Sequence, residues 1–502
     1  MFLATITHQG RTRLHPVRLA ITCALATLAA SSSQAATYTY TNGENNTSPI
    51  TITEASTITL SSGSATQSGD VTVNGSATLT RRGQGTLTFS KLTTPGQFNA
   101  YEGTTVISHS GSSIYYLNID RSGTTVAPVF RLSEASSGNT TLYIGTYSTG
   151  TLEIVNGATF NNQNSATLGN SSTGNGSLLI SGTGSLFTTQ AWPIVIGGAG
   201  TGSVTLSDGG RITAVARKNV VLGEQSTGRG YLNIESASGQ AATAAGIFGT
   251  NQVIGGTGGG QLPFNHTSSN YVFTQSGANG GTAIAISGNV SMRVENGTTT
   301  LRDANTNTGD TTVVGGTLLI SQVAGTSSVL GTGRLAVGED GTVGGVGRVK
   351  GTATIADDLA PGSALVSTGI MVFDNGLTLE SDANVIMEIG GHTRGTQLDA
   401  LDIAGQLSLN GTLTIRFIND FAPLAGQSFD LLDGSYVRSG NFSAIVFSSP
   451  GYQGVFDADN GQLLITDVPE PSAIAFVLLG VGLIAVRVQT RKARPSRISS
   501  SC

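Results

Sequence analysis

The body of this chain has no cysteine. The only two are Cys23 and Cys502, close to either end. A disulfide framework and a thiolate metal site are therefore both excluded from the body. Charge is also scarce: 11% of residues are Asp, Glu, Lys or Arg, less than half the usage of an ordinary soluble domain. Trp192 is the single tryptophan, so no platform of several tryptophans can stack sugars. His109, His266 and His392, the histidines of the body, lie more than 100 residues apart and show no metal-ligand spacing. The sequence has no Gly-x-Ser-x-Gly elbow, no phosphate-binding Gly-Lys-Ser/Thr loop and no His-Glu-x-x-His. The Gly-Gly-x-Gly-x-Asp calcium repeat is missing too.

What is abundant is glycine, 70 of 502 residues, beside a 38% share of hydrophobic residues. That mix is too apolar and too weakly charged for a disordered polyelectrolyte. It suits β-structure with many tight turns, where glycine supplies the positive φ angles.

The formal charge of −5 conceals an asymmetry. Between Ala36 and Glu470 there are 17 basic and 30 acidic residues, a net of −13. Of this, −12 falls between Glu339 and Glu470. An acidic body argues against binding to nucleic-acid phosphates. It serves solubility, and it would also tolerate divalent cations or basic partners.

The two ends differ from the body. Arg11, Arg13 and Arg18 precede the apolar run LAITCALATLAA, Leu19 to Ala30, and then SSSQAA. These are the three parts of a secretory signal peptide, residues 1–35. Cleavage is expected after Ala35, with Ala36 as the neighbouring option. At the other end Pro469-Glu470-Pro471 is followed by Ala473 to Val486, 14 residues without a charge. As a helix this run reaches about 21 Å, short of a ~30 Å hydrocarbon core. Arg487, Arg491, Lys492, Arg494 and Arg497 follow and would hold the C-terminus in the cytoplasm. A single C-terminal transmembrane helix with the body outside is the expectation. Two proline rings keep the Pro-Glu-Pro triplet extended ahead of that helix.

This tail, residues 468–502, resembles the PEP-CTERM sorting signal of Gram-negative bacteria: Pro-Glu-Pro, a short apolar helix broken by Gly480 and Gly482, and an arginine-rich end. The resemblance implies processing near Pro469, Glu470 and Pro471 by a membrane-embedded exosortase. It implies a body first held at the inner membrane in the periplasm, then placed at the cell surface or outside. The other reading of the same residues is a plain tail anchor with a proline hinge.

Between the ends the sequence repeats. TGTLEIVNGATF (Thr149 to Phe160), NGSLLISGTGSLF (Asn175 to Phe187), TGSVTLSDGGRI (Thr201 to Ile212) and RGYLNIESAS (Arg229 to Ser238) each open on glycine and alternating apolar residues. Gly150, Gly176, Gly202 and Gly230 are spaced by 26, 26 and 28; a second set, Gly145, Gly169, Gly197 and Gly223, precedes them. Alternation of period two inside a repeat near 26 predicts stacked coils of about three strands each. The expected fold is all-β, a right-handed parallel β-helix (β-solenoid). Some 15 coils would make a rod on the order of 70 Å at the usual strand spacing. Coils are expected over 36–238 and, in acidic form, over 291–467. Gly239 to Val290 breaks the period and is expected to be an irregular insertion, a loop or irregular coil that interrupts the rod, serving either as a flexible insertion or as a binding loop.

The repeats also resemble the autotransporter-associated β-strand repeats of passenger and adhesin domains. Gly83 to Ser108 carries GQGTLTF and YEGTTVIS; the Ala360–Ser363 turn and Gln397–Leu401 match the later coils, and Phe421–Gly434 the closing strand pair. That resemblance implies an adhesive or structural role, with exopolysaccharide or envelope components as partners. Only 36 residues follow Thr466, too few for the membrane barrel that ends an autotransporter. The competing class is a carbohydrate-active β-helix enzyme, a polysaccharide lyase or hydrolase, which needs paired carboxylates in a cleft. Asp357-Asp358 and Asp399/Asp402 are the densest candidates, and both read as turn and cap residues. No catalytic residue, cofactor or metal ligand is expected.

Overall fold

The computed structural model describes residues 35–121, 126–138, 142–215, 219–277, 281–321, 330–362 and 368–468. The chain there is all-β. A sheet of 42 strands holds nearly all of it, and a second sheet of three strands closes the C-terminal part. Every named pairing in the large sheet is parallel, as in Thr149–Ile154 with Asn175–Ser181 and the latter with Thr201–Ser207. The fold is a parallel β-solenoid, with three strands in each coil.

Alternation along the strands explains the core. In Thr149–Ile154, residues 150, 152 and 154 are buried and those between are half-buried. Neighbouring coils place equivalent residues on top of one another. One column runs without a break through Gln67, Phe89, Ile107, Leu132, Ile154, Ile180, Leu206, Ile234, Phe264, Val294, Val313, Val337, Ile355 and Leu379. All but Gln67 are apolar, and every one is at most 3% exposed. On another face Phe160 stacks on Phe187 with centroids 6.0 Å apart. No coil could bury its apolar face alone, so stability accrues along the stack.

The column also corrects the period. Its steps range from 18 to 30 residues, and 26 holds only from Ile154 to Ile180 and from Ile180 to Leu206. Core contact fixes the strands, whereas the corners between them face solvent and absorb the difference in length. Buried amides close several corners. Asn162 Nδ2 donates to the carbonyls of Asn164 and Ser165, both at 3.0 Å, and Gln67 Nε2 to those of Ser48 and Gly69, both at 2.8 Å. The carbonyls at such corners lie outside the strand ladders, and a buried amide supplies them with a donor.

The repeat's two glycines meet at one corner. A Cβ at Gly176 would lie 2.1 Å from the Ile144 carbonyl oxygen and 2.7 Å from the Gly169 nitrogen. Gly169 has φ +63°, and a Cβ there would lie 2.1 Å from the carbonyl oxygen of Thr201 in the next coil. Backbone approaches backbone here, which only glycine permits.

Gly239–Val290 is a correction. Strands Ile247–Phe248, Gln252–Asn265, Tyr271–Val272 and Ala285–Asn296 run through it or out of it, in register with coils on both sides. Its GGTGGG run continues the glycine corner: a Cβ at Gly258 would lie 2.1 Å from the carbonyl oxygen of Gln225. Phe264 and Phe273 are core residues in edge-to-face contact at 5.2 Å. The period is interrupted here, and the stack is not.

No helix occurs among the described residues, and none there is long and apolar enough to cross a membrane. The signal segment, the Pro469–Pro471 triplet, the predicted helix of 473–486 and its basic flank lie outside the described residues. Ala35 and Ala36 are the first described positions; Ala35 is exposed. At the other end Val468 packs against the core.

Candidate ligand groove

Five successive rungs of one face contribute to a surface groove of about 310 Å³. The strands are Thr311–Ile320, Leu335–Gly345, Asp358–Pro361, Asn384–Ile389 and Thr412–Phe417. Register sets Thr317 beside Thr342, Leu319 beside Gly344, and Gly344 beside Ala360. Further along, Glu388 stands opposite Arg416. Alternation sends Val385, Met387 and Ile389 into the core and turns Glu388 outward. Small residues make the floor. A Cβ at Gly344 would lie 2.4 Å from the Ala360 carbonyl oxygen, so the floor stays low between Leu319 and Ile386.

Beyond Ile389 the chain turns back on itself, forming one wall. Leu398 makes an antiparallel bridge with Ile389, and the Asp399 N–H donates to the Glu388 carbonyl at 2.9 Å. Asp399 is fully buried. Its two carboxyl oxygens accept the N–H groups of Gly369 and Glu388, each at 2.8 Å. Burial pushes its carboxyl up to about 8, against those two donors, and the nearby Glu388 adds to the rise.

The remaining sequence-level candidates are scattered. Asp402 belongs to a different cluster, in which Arg394 lies 2.9 Å from Asp402, 3.4 Å from Asp433 and 3.8 Å from Asp430. Asp358 accepts from Asn384 Nδ2 at 2.9 Å, and burial raises its neighbour Asp357. Asp399 and Asp402 thus sit in different surroundings, the first on backbone donors and the second beside Arg394. His109 is exposed. His266 is buried, with Nε2 2.8 Å from Thr299 Oγ1, and burial lowers its pKa to about 4. His392 stacks on Phe429 at 4.9 Å. Among the described residues, no group of three or more His, Cys, Asp or Glu side chains is placed to hold a metal ion. Trp192 stands half-exposed at a corner of the stack.

Sequence reasoning missed Glu388 and Arg416. Alternation in NVIMEI and TLTIRF does mark both as outward-facing; nothing in spacing alone brings them opposite each other. No family model matches the sequence, and no curated protein matches it. Fold and groove define the class: a parallel β-solenoid with a polar-ended groove on its outer surface.

Proposed function

We propose that this is an exported structural or adhesin-like protein, a right-handed β-helix rod of the cell surface or matrix, sorted through a C-terminal PEP-CTERM signal by an exosortase. The unbroken apolar column from Phe89 to Leu379 carries this reading. Coil after coil is committed to building length, which is what a spacer or scaffold requires. The right hand follows from the preference of parallel crossover connections.

The proposal includes no catalysis. Glycoside hydrolysis uses two carboxyl groups facing a bond from opposite sides. Asp399 is enclosed and its oxygens are occupied by backbone donors, which suits the pinning of three chain segments. The described residues end with the three-stranded sheet at Asp467 and Val468, and the Pro469-Glu470-Pro471 triplet follows directly in sequence. Replacing these three residues by alanine in the producing bacterium is expected to leave the protein unprocessed and membrane-associated. An unchanged mature mass and unchanged release would reject the sorting step.

A further inference from the structure

Glu388 and Arg416 stand directly opposite in register, with opposite charge, on the open face of the groove. Their side chains nevertheless form no ion pair or hydrogen bond with each other or with any other described residue. Opposite charges on adjacent strands ordinarily pair. Here a carboxylate acceptor and a guanidinium donor fork are left side by side, each with its capacity free. Thr317 and Thr342 add hydroxyls at the other end, and Leu319, Ala360 and Ile386 supply an apolar floor.

The groove runs along the stack. Rungs lie about 4.8 Å apart, so the five rungs from Thr317 to Arg416 span about 19 Å. One rung is close to the length of one pyranose ring. A linear glycan laid along the axis would therefore set about one sugar over each rung. Its ring faces would meet the apolar floor and its hydroxyls the polar ends.

We propose that this groove binds a segment of an uncharged polysaccharide, with Glu388 accepting from and Arg416 donating to the hydroxyls of one sugar. The proposal rests on the matrix-associated reading above and names the partner for it. Charge decides against a polyanionic glycan. The segment Glu339–Glu470 carries a net of −12, which repels uronate or sulfate chains, and Glu388 does so within the groove. A polycation would meet Arg416. Hydroxyl groups satisfy both side chains at once.

The test uses the full-length protein and isothermal titration with linear glucan hexasaccharides, β-1,3-, β-1,4- and α-1,4-linked, beside hexagalacturonate. Saturable binding of at least one glucan is expected, with none or far weaker binding of the galacturonate. Arg416→Ala and Glu388→Gln should each weaken it ten-fold or more, with circular dichroism and unfolding midpoint unchanged. Tyr147→Ala, 71% exposed on a distant coil, should leave affinity as it is. No glucan binding, tighter binding of the galacturonate, or an unaltered Arg416→Ala would overturn the proposal. Co-sedimentation with the producer's own extracellular matrix separates this from the broader reading. Sedimentation of the wild type and of Arg416→Ala alike removes the groove and leaves the matrix role standing. Failure of the wild type to sediment removes the matrix role itself.

Discussion

Gly176→Ala is expected to destabilise the solenoid by about 3 kcal/mol or more, at the upper end of what overpacking costs. The added methyl would lie 2.1 Å from the Ile144 carbonyl oxygen and 2.7 Å from the Gly169 nitrogen, both backbone atoms. No side-chain rotamer can relieve such a contact. The coils have to separate, and the hydrogen bonds between Ala166–Leu168 and its neighbours on either side lengthen with them. Stability in a stack is carried by contacts between adjacent coils. The damage should therefore divide the unfolding transition, with coils on either side of position 176 melting apart. Gly239→Ala is the control. Its φ of +76° is strained for alanine, yet nothing lies within 4 Å of the new methyl, so a cost of about 1 kcal/mol is expected. Thermal unfolding followed by calorimetry measures both. Equal effects of the two substitutions would show that close approach of the coils is not what the glycine repeat encodes.

Asp399→Asn should change how stability depends on pH. The folded carboxyl holds its proton up to about pH 8, whereas an unfolded aspartate releases it near 3.9. Between these values the folded state binds more protons than the unfolded state, so stability falls as pH rises. Across that window the loss is on the order of a few kcal/mol. His266 works the other way. Its pKa of about 4 means that stability falls as pH drops from the ordinary histidine value toward 4. Comparison of wild type with Asp399→Asn isolates the first effect, because the amide does not titrate and His266 is common to both. The variant should be the less stable at pH 5, since its amide nitrogen faces a backbone donor that the carboxyl accepted. The gap should narrow by pH 8. A gap that stays constant from pH 5 to 8 would mean that Asp399 is already ionised in the folded protein.

The stack was legible where the chain repeats itself closely. From Gly145 to Ile234, glycine spacing and alternation place the strands, their buried faces and their register, because each coil there has nearly the same corner lengths. Legibility ends where corners vary. Gly255 to Gly260 reads as a flexible insertion by composition, yet Gly256 and Gly258 are required by close backbone contact with the preceding coil and Gly255 by contact with the Asn289 backbone of the following one. Composition alone cannot separate a glycine that loosens a loop from one that admits a neighbour. Asp399 reads as a strand cap. Its burial depends on the return of the chain after Ile389, a tertiary event with no local signal. The groove is the least legible feature. Its lining is drawn from positions 317 to 416 across coils of unequal length, so only the register brings Glu388 to Arg416. The proposed leader and sorting tail rest on the sequence alone, because residues 1–34 and 469–502 lie outside the described residues.

Mass spectrometry of the protein recovered from the producing bacterium tests the central claim most directly, because it reads both ends at once. An exported, sorted solenoid should begin at Ala36 or Thr37 and end close to Pro469, Glu470 or Pro471, with the apolar run and its basic flank gone. A chain that still starts at Met1, or that runs intact to Cys502 in the extracellular fraction, would contradict it.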